Sequence, residues 1–323
     1  MLWLRGAFGL VLASAAFLGA QPSAAEAQKL FTRPMELVVP FSAGASTDLG
    51  ARVLAGAMEA RLGVPVRVVN KPGGNTVPAV TEMMRAEPDG STLLVDSAPA
   101  SSMLEIAVRN LPFKVSDRTF INITAYTPMI FIVPADSPFK TLAEAAAGAK
   151  ADPGSFSWTS LGGAGGQDLA ARQFLKAIGV DVVKTRPLQL KGGADAVTMT
   201  AGGHVKLGTG TYAAIAAPLQ AKRLRVLAVS AAERWPSLPD SPTTLELGYK
   251  TVETPYWIGF SGPPKMPAQL VEAIDKAVRD ALADKAVIEG LDKIGMRPFY
   301  HGPEQMKARV EKDRIETQEL WAR

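Results

Sequence analysis

Short β-branched apolar runs alternate along the chain with longer runs that have the apolar spacing of amphipathic helices. This alternation predicts an α/β fold whose sheets are dominated by parallel strands in strand–helix–strand units. The predicted strands are Met35–Val39, Val66–Val69, Thr92–Asp96, Met129–Val133, Ser155–Thr159, Val205–Gly208, Arg225–Ser230 and Tyr256–Gly259. The predicted helices are Leu49–Leu62, Thr76–Arg85, Thr141–Ala149, Gln167–Ile178, Ala194–Ala201, Tyr212–Ala221, Pro267–Ala283, Lys285–Ile294 and Pro303–Trp321.

The loop Pro40–Asp48 joins the first predicted strand to the first predicted helix and has small side chains around Gly44. The first turn of a helix has backbone N–H groups without an internal partner, and the helix dipole is positive there. Because glycine adds no side chain, an anionic ligand could come close to these donors. Residues 46–48 offer side chains that can cap the helix, and Gly63 stands where a C-cap is expected. The loop predicts either an anion site or an ordinary α/β connection.

A second loop of this kind, Ser160–Asp168, contains four glycines between a predicted strand and a predicted helix. It is not a nucleotide P-loop, since no Lys-Ser or Lys-Thr follows the glycines, and the spacing of a dinucleotide-binding motif is absent. It is either a second set of backbone donors or a flexible connection. A third helix opening, Lys191–Asp195, adds a cation that could meet a carboxylate or point into solvent.

Two segments are predicted to connect two lobes. The first is Ala125–Pro128, which interrupts an apolar run, and the second is Val252–Tyr256. The first lobe then comprises residues 28–126 and 255–323, and the second lobe, residues 127–254, is inserted into it; we call the latter the inserted segment. Ligands of open α/β sheets bind at the carboxyl ends of strands, which places the site in the cleft between the lobes.

Residues 1–27 have the pattern of a secretory signal peptide, with Arg5, an apolar stretch and a small-residue cleavage site after Ala27. We therefore expect an exported, periplasmic protein. The whole chain has a net charge of +4 and no cysteine, so disulfides, thiol nucleophiles and zinc–thiolate sites are excluded. The positive charges are scattered and form no basic stripe, so nucleic acid is not an expected partner.

Signatures of catalysis are missing from the sequence. His204 and His301 lie on opposite sides of a predicted lobe boundary, and neither belongs to a metal-spaced cluster. The G-x-S-x-G motif of serine hydrolases is absent, and no carboxylates pair as a general acid and base. We therefore expect a protein that is not an enzyme and has no metal or cofactor.

These features together resemble the TctC or Bug family, the substrate-binding proteins of tripartite tricarboxylate transporters. The resemblance covers the chain beyond the signal segment, and its landmarks occur in order. They are Leu37–Phe41 with Gly44 and Asp48, Asn70–Gly73, Pro88–Leu94, Gly162–Gly166, Lys191–Gly193, Leu224–Val229, Leu238–Asp240 and Trp257. The resemblance implies a type II periplasmic-binding-protein (Venus flytrap) fold, with two α/β lobes and a hinge that the chain crosses twice. It also implies a monomer that captures a small organic carboxylate for a large and a small membrane transporter subunit. An extracytoplasmic sensor that presents the ligand to a membrane receptor kinase is the alternative.

The resemblance also implies which residues bind the ligand. The candidates are Ser42, Ala43, Gly44, Thr47 and Asp48 in the first loop, and Gly162, Gly163, Gly166 and Lys191 in the inserted segment. Ser97, at the carboxyl end of a strand, and Asp168, after the glycines, complete the set. Asp168 and Asp96 depart from the usual family pattern, and either could repel a second anionic group near the pocket. They suggest a ligand with an amino or other donor group, or with only one carboxylate.

Overall fold

A computed structural model describes residues 30–163 and 165–321 of the chain, so the predicted signal segment and its cleavage after Ala27 lie outside the described residues. The strands are β1 (Met35–Val39), β2 (Val66–Asn70), β3 (Thr92–Ser97), β4 (Thr119–Pro134), β5 (Ser157–Ser160), β6 (Arg186–Gln189), β7 (Gly208–Gly210), β8 (Leu224–Ser230), β9 (Pro255–Gly262) and β10 (Arg297–His301).

The helices between the strands follow the predicted apolar spacing closely. They are α1 (Ser46–Leu62), α2 (Val77–Arg85), α3 (Leu104–Ala107), α4 (Leu142–Ala151), α5 (Gly166–Ala177), α6 (Gly193–Ala201), α7 (Tyr212–Gln220), α8 (Ala268–Ala281), α9 (Lys285–Lys293) and α10 (Pro303–Trp321). In the described part of the chain, no helix is long and apolar enough to cross a membrane.

The strands form one large mixed sheet and one separate pair. The large sheet has the order β10-β4-β9-β3-β1-β2, with β7 and β8 also paired to β4, whereas β5 and β6 pair only with each other. Pairing is parallel in β1–β2, β1–β3 and β5–β6, but antiparallel in every ladder of β4 and β9. The α/β class is confirmed. The expected dominance of parallel strands is corrected to mixed sheets, because β4 and β9 run against their neighbours.

The long strand β4 joins two parts of the large sheet, since its first part pairs with β9 and β10 and its last part with β7 and β8. Its residues Thr119–Pro128 pair with β9, and its residues Met129–Pro134 pair with β8. The sequence predicted an interruption at Ala125–Pro128, but the strand is continuous there because its backbone pairs with the first residues of β9. The other expected crossing, Val252–Tyr256, contains the start of β9. The division into lobes remains a prediction, and its first boundary lies next to the point where β4 changes partners.

Alternation along the strands divides the apolar residues into separate cores. In β1, Met35 and Leu37 pack with α1 and α8, whereas Val38 packs on the opposite face with α2. In β4, Phe131 and Ile132 likewise belong to different clusters. Successive side chains of a strand point to opposite faces of a sheet, so a run that is apolar throughout must be covered on both sides.

Candidate ligand-binding site

A cavity that is partly open to solvent lies where the first turns of α1, α5, α6 and α7 meet. The residues that these helix openings contribute are Ala45, Ser46, Thr47, Gly165, Gly166, Gln167, Gly192, Gly193, Ala194, Asp195 and Thr211. Apolar walls come from Phe41, Pro72, Met129, Leu161 and the ring of Tyr256, among others. The lining therefore combines the inserted segment with the remainder of the chain.

None of these four helices is capped by the side chain of its N-cap residue. The N-cap residues are Ala45, Gly165, Gly192 and Thr211, and none of them accepts a hydrogen bond through its side chain from the first turn. The structure thus places the N-cap of α1 at Ala45 rather than at residues 46–48. The first-turn N–H groups have no helical partner, and four positive dipole ends converge on one cavity. Such a cavity favours an anion.

Two pairs of hydroxyl groups lie at the wall of the cavity. Ser46 Oγ and Thr211 Oγ1 are 2.5 Å apart, and Thr47 Oγ1 lies 3.0 Å from the hydroxyl of Tyr256. The first pair joins the inserted segment to the first loop. Burial raises the pKa of Tyr256, and the negative charge of Asp96 raises it further, so the phenol stays neutral at physiological pH.

Charged side chains occur only at the exposed edge of the described lining. Lys191 and Asp195 line both the cavity and an adjoining, more open space, and both residues are exposed. Among the described lining residues there is no buried cation. Electrostatic attraction for an anion inside the cavity must therefore come mainly from the backbone.

Asp48 stabilises the first loop without lining the cavity. Its carboxylate accepts hydrogen bonds from Gly44 N at 2.8 Å, from Asn70 Nδ2 at 2.9 Å and from Arg52 Nε at 3.0 Å. Burial alone would raise the pKa of Asp48, but these hydrogen bonds and the charge of Arg52 together hold the pKa below its usual value. Gly44 and Asp48 are absent from the cavity lining, and they fix the loop that carries Ser42 and Thr47.

Asp168 likewise stabilises the loop Ser160–Asp168, which we call the glycine loop. It is 1% exposed and accepts hydrogen bonds from the Ser160 hydroxyl at 2.5 Å and from three backbone N–H groups, those of Leu161, Gly163 and Gly165, at 2.9–3.2 Å. Burial raises the pKa of Asp168, while these four donors lower it in part. The carboxylate thus forms its hydrogen bonds within its own loop and does not line the cavity.

Gly162 and Gly163 adopt left-handed backbone conformations, with φ of 82° and 93°. A side chain on Gly162 would also collide with Gln189, since an added Cβ would lie 2.7 Å from its Nε2. These two glycines therefore shape the loop next to the cavity and are not part of its lining.

Asp96 is neutralised inside the protein. Its Oδ2 accepts hydrogen bonds from Arg118 at 2.8 Å and from the Ser261 hydroxyl at 2.7 Å, and both charged side chains are 0% exposed. The N–H of the fully buried Ser97 donates to Asp96 Oδ1 at 2.8 Å. Neither Asp96 nor Ser97 lines the cavity. The premise that Asp96 repels an anionic group is contradicted, because its charge is paired with that of the buried Arg118.

The structure thus divides the candidate residues into two groups. Those that line the cavity are Ser42, Ala43, Thr47, Gly166 and Lys191. Those that support it are Gly44, Asp48, Ser97, Gly162, Gly163 and Asp168. Sequence reasoning missed Gln167, Asp195 and Thr211, although all three stand at helix openings, which was the signal used for the others. Ligand contacts by any of these residues remain predictions.

Other chemically distinctive residues lie away from the cavity. Trp257 is buried in the core and donates through Nε1 to Asp313 at 2.8 Å, whereas the neighbouring Tyr256 reaches the cavity. His204 is exposed, and burial lowers the pKa of the half-buried His301. Within residues 30–163 and 165–321, no three His, Asp or Glu side chains are grouped so that they could hold a metal ion.

Comparison with known proteins identifies similar chains of nearly the same length. A Cupriavidus necator protein described as "UPF0065 protein in gbd 5'region" is 33% identical over 306 residues, which cover 92% of this chain and 89% of that protein. The structure of the periplasmic binding protein BugD matches with a TM-score of 0.81 and 29% identity, over 90% of this chain and 97% of BugD. An R. palustris protein solved with adipate matches with a TM-score of 0.83 and 25% identity, over 90% of this chain and 96% of that one.

These structural matches confirm the expected periplasmic-binding-protein fold. Residues 50–320 also match the model of the TctC family, described as the tripartite tricarboxylate transporter family receptor. The match covers most of the chain and includes the glycine loop and the openings of α6 and α7, and it begins at Gly50, inside α1. The chain therefore belongs to the TctC family of tripartite tricarboxylate transporter receptors.

Proposed function

We propose that this protein captures a small organic carboxylate in the cavity and delivers it to the membrane subunits of a tripartite tricarboxylate-type transporter. The observation that carries the proposal is the convergence of four helix N-termini on one cavity, none of them capped by the side chain of its own N-cap residue. A carboxylate has the charge and the acceptor oxygens that these N–H groups require. Adipate in a structurally similar relative is consistent with such a ligand.

The walls of the cavity suit a small carboxylate. Backbone donors bind the carboxylate, and apolar walls such as Phe41, Leu161 and Met129 shield it from water. No catalytic step is proposed, because the buried hydroxyl groups of the lining pair with each other rather than with a base.

Binding is proposed to close the two predicted lobes, residues 28–126 with 255–323 and residues 127–254, over the ligand. The 2.5 Å contact between Ser46 and Thr211 joins the two lobes, so opening of the cleft must break it. Hinge motions of this type are the usual way in which a two-lobed protein admits and buries a ligand. We expect the ligand-free protein to be less compact in solution scattering than the complex.

Capture is tested by measuring thermal unfolding and heat of binding with small mono- and dicarboxylates. A ligand at 100 times its dissociation constant adds about 2.7 kcal/mol to the free energy of unfolding. The matched control is the uncharged amide of each acid, such as succinamide beside succinate. We expect stabilisation by at least one acid and none by its amide. If acid and amide bind equally, the helix N-termini do not select the charge, and the proposal fails.

Delivery, periplasmic location and a monomeric state are further parts of the proposal, and they need separate measurements. Mass spectrometry of the exported protein should give a chain beginning at Gln28, and light scattering should give one chain per particle. Delivery requires that the acid enters vesicles containing the large and small membrane subunits only when this protein is added. If the protein binds its acid tightly but supports no such uptake, the proposal of capture stands and the proposal of delivery fails.

A further inference from the structure

The last turn of α10 contacts the inserted segment at a point outside the cavity. The guanidinium carbon of Arg172, in α5, lies 4.4 Å from the centre of the Trp321 ring. The same indole lies against the glycine loop, since a Cβ added to Gly163 would lie 3.4 Å from its Nε1. Neither Arg172 nor Trp321 lines the cavity. The contact therefore joins the two predicted lobes without touching the proposed ligand.

Leu169 extends this contact along α5. Residues three apart in a helix lie on the same face, so Leu169 and Arg172 face α10 together. Leu169 and Trp321 both pack against a core cluster whose buried members all come from outside the inserted segment, among them Met306 and Val310 of α10. The first half of α5, which begins at the cavity, thus rests on the C-terminal helix.

The helix α10 is itself anchored to the first predicted lobe. Asp313 accepts hydrogen bonds from Nε1 of Trp257, in β9, at 2.8 Å and from Nε of Arg309 at 2.6 Å. Met306 and Val310 are buried in the core. All of these anchors precede Trp321 in the helix, so α10 offers a fixed support that α5 can approach or leave.

Burial of Arg172 against this support has a cost. Its Nε is buried and has no hydrogen-bond partner among the described residues. Burial lowers the pKa of Arg172, and the negative charge of Asp168 raises it in part. Attraction between the guanidinium and the ring of Trp321 offsets some of the lost hydration. If α5 moves away from α10, the guanidinium regains water, so the contact is one that can be released.

We propose that Arg172 and Trp321 form a latch, a pair of positioning residues that holds α5 and the glycine loop closed over the cavity and slows release of the bound carboxylate. This inference rests on the proposed capture and closure, and it assigns the residues that set the lifetime of the complex. A latch that forms only on closure contributes to ligand affinity and not to the stability of the ligand-free protein. A contact that is present with or without ligand has the opposite effect.

The test compares Trp321→Leu, Arg172→Met and the double variant, each made in the full chain. Binding of succinate, malate and adipate is measured by calorimetry, release by stopped-flow displacement, and the ligand-free proteins are unfolded in urea. For the acids that bind the wild type, we expect each single variant to bind about three- to tenfold more weakly, mainly through faster release. Ligand-free stability should not change. The double variant should lose no more affinity than the weaker single variant, because both substitutions remove the same contact.

Tryptophan fluorescence gives an independent readout of closure. Within the described residues, Trp158, Trp235 and Trp257 are at most 2% exposed, whereas Trp321 is half-buried. A bound acid should therefore protect the wild type from quenching by acrylamide, and this protection should be absent in Trp321→Phe. The control for Arg172→Met is Lys176→Met, which removes an exposed cation one turn further along α5 and should change neither affinity nor stability.

The outcomes separate the latch from the function on which it rests. Wild-type affinity and release rate in both single variants overturn the latch and leave carboxylate capture standing. A loss of ligand-free stability as large as the loss of binding free energy, or failure of both variants to fold, also overturns it, because the contact is then needed without ligand. If none of the acids tested above or for capture binds the wild type, the proposed function fails and takes this inference with it.

Discussion

Gly166 offers a direct test of whether the cavity is the ligand site. It is the first residue of α5, and a Cβ added there would lie 3.0 Å from both Met129 Sδ and Tyr256 Cδ2. Ordinary contacts between such atoms are about 3.5–4.0 Å, so both neighbours would have to move by several tenths of an ångström. The Met129 side chain can yield, but the ring of Tyr256 is held by its hydrogen bond to Thr47.

We therefore expect Gly166→Ala to narrow the cavity without unfolding the protein. Overpacking costs about 1–3 kcal/mol, and alanine regains up to about 1 kcal/mol through its helix propensity. The free energy of unfolding should thus fall by about 0–3 kcal/mol in urea titrations. A displaced wall should weaken carboxylate binding by about tenfold, which corresponds to about 1.4 kcal/mol in calorimetry.

Gly56→Ala is the matched control for this substitution. Gly56 lies in the middle of α1, is exposed, and has no heavy atom within 4 Å of an added Cβ. Alanine should raise the free energy of unfolding there by up to about 1 kcal/mol and leave binding unchanged. Wild-type affinity in Gly166→Ala would refute the placement of the ligand, and an equal loss in both variants would refute the packing argument.

Three further substitutions test the charges around the site. Asp96→Asn leaves Arg118 buried without its carboxylate, so urea unfolding should show a loss of about 3–5 kcal/mol, with the order of ligand preference unchanged. In Asp48→Asn, stability should change less with pH below about 4 than in the wild type. The pKa of Asp48 is lower in the folded protein than in the unfolded chain, so its contribution is present above the unfolded pKa and is lost as pH falls towards the folded one. Lys191→Met should weaken binding by less than about tenfold, and titrations in increasing salt should remove the difference, because Lys191 is exposed.

The fold was largely predictable because apolar periodicity decides most of its elements. β1 ends at the predicted residues, and the predicted long helices all exist with bounds shifted by a few residues. The two strands that periodicity missed are β6, which is half-exposed or exposed, and β10, which is half-buried along its length. Their pairing depends on neighbours supplied by the tertiary fold, namely β5 and β4. A local pattern of side chains does not show which strands will be neighbours in the tertiary fold.

The candidate site was less predictable because its carboxylates have partners that are distant in sequence or belong to the backbone. Arg118, which neutralises Asp96, lies 22 residues away, and Asn70, which donates to Asp48, also lies 22 residues away. The donors of Asp168 are mostly N–H groups of its own loop, and their direction depends on left-handed glycines. Sequence reasoning recognised these residues as unusual but could not distinguish a carboxylate that shapes a loop from one that faces a ligand.

The cavity forms because the same connection, from the carboxyl end of a strand to the start of a helix, occurs four times in the fold. β1, β5, β6 and β7 each end a few residues before α1, α5, α6 and α7, respectively, so each helix begins at the carboxyl end of a strand. Where such ends meet, backbone N–H groups gather, and the described lining contains no buried cationic side chain. That arrangement selects a negative charge but does not distinguish one carboxylate from another. Discrimination must come from the side chains that stand among the helix openings.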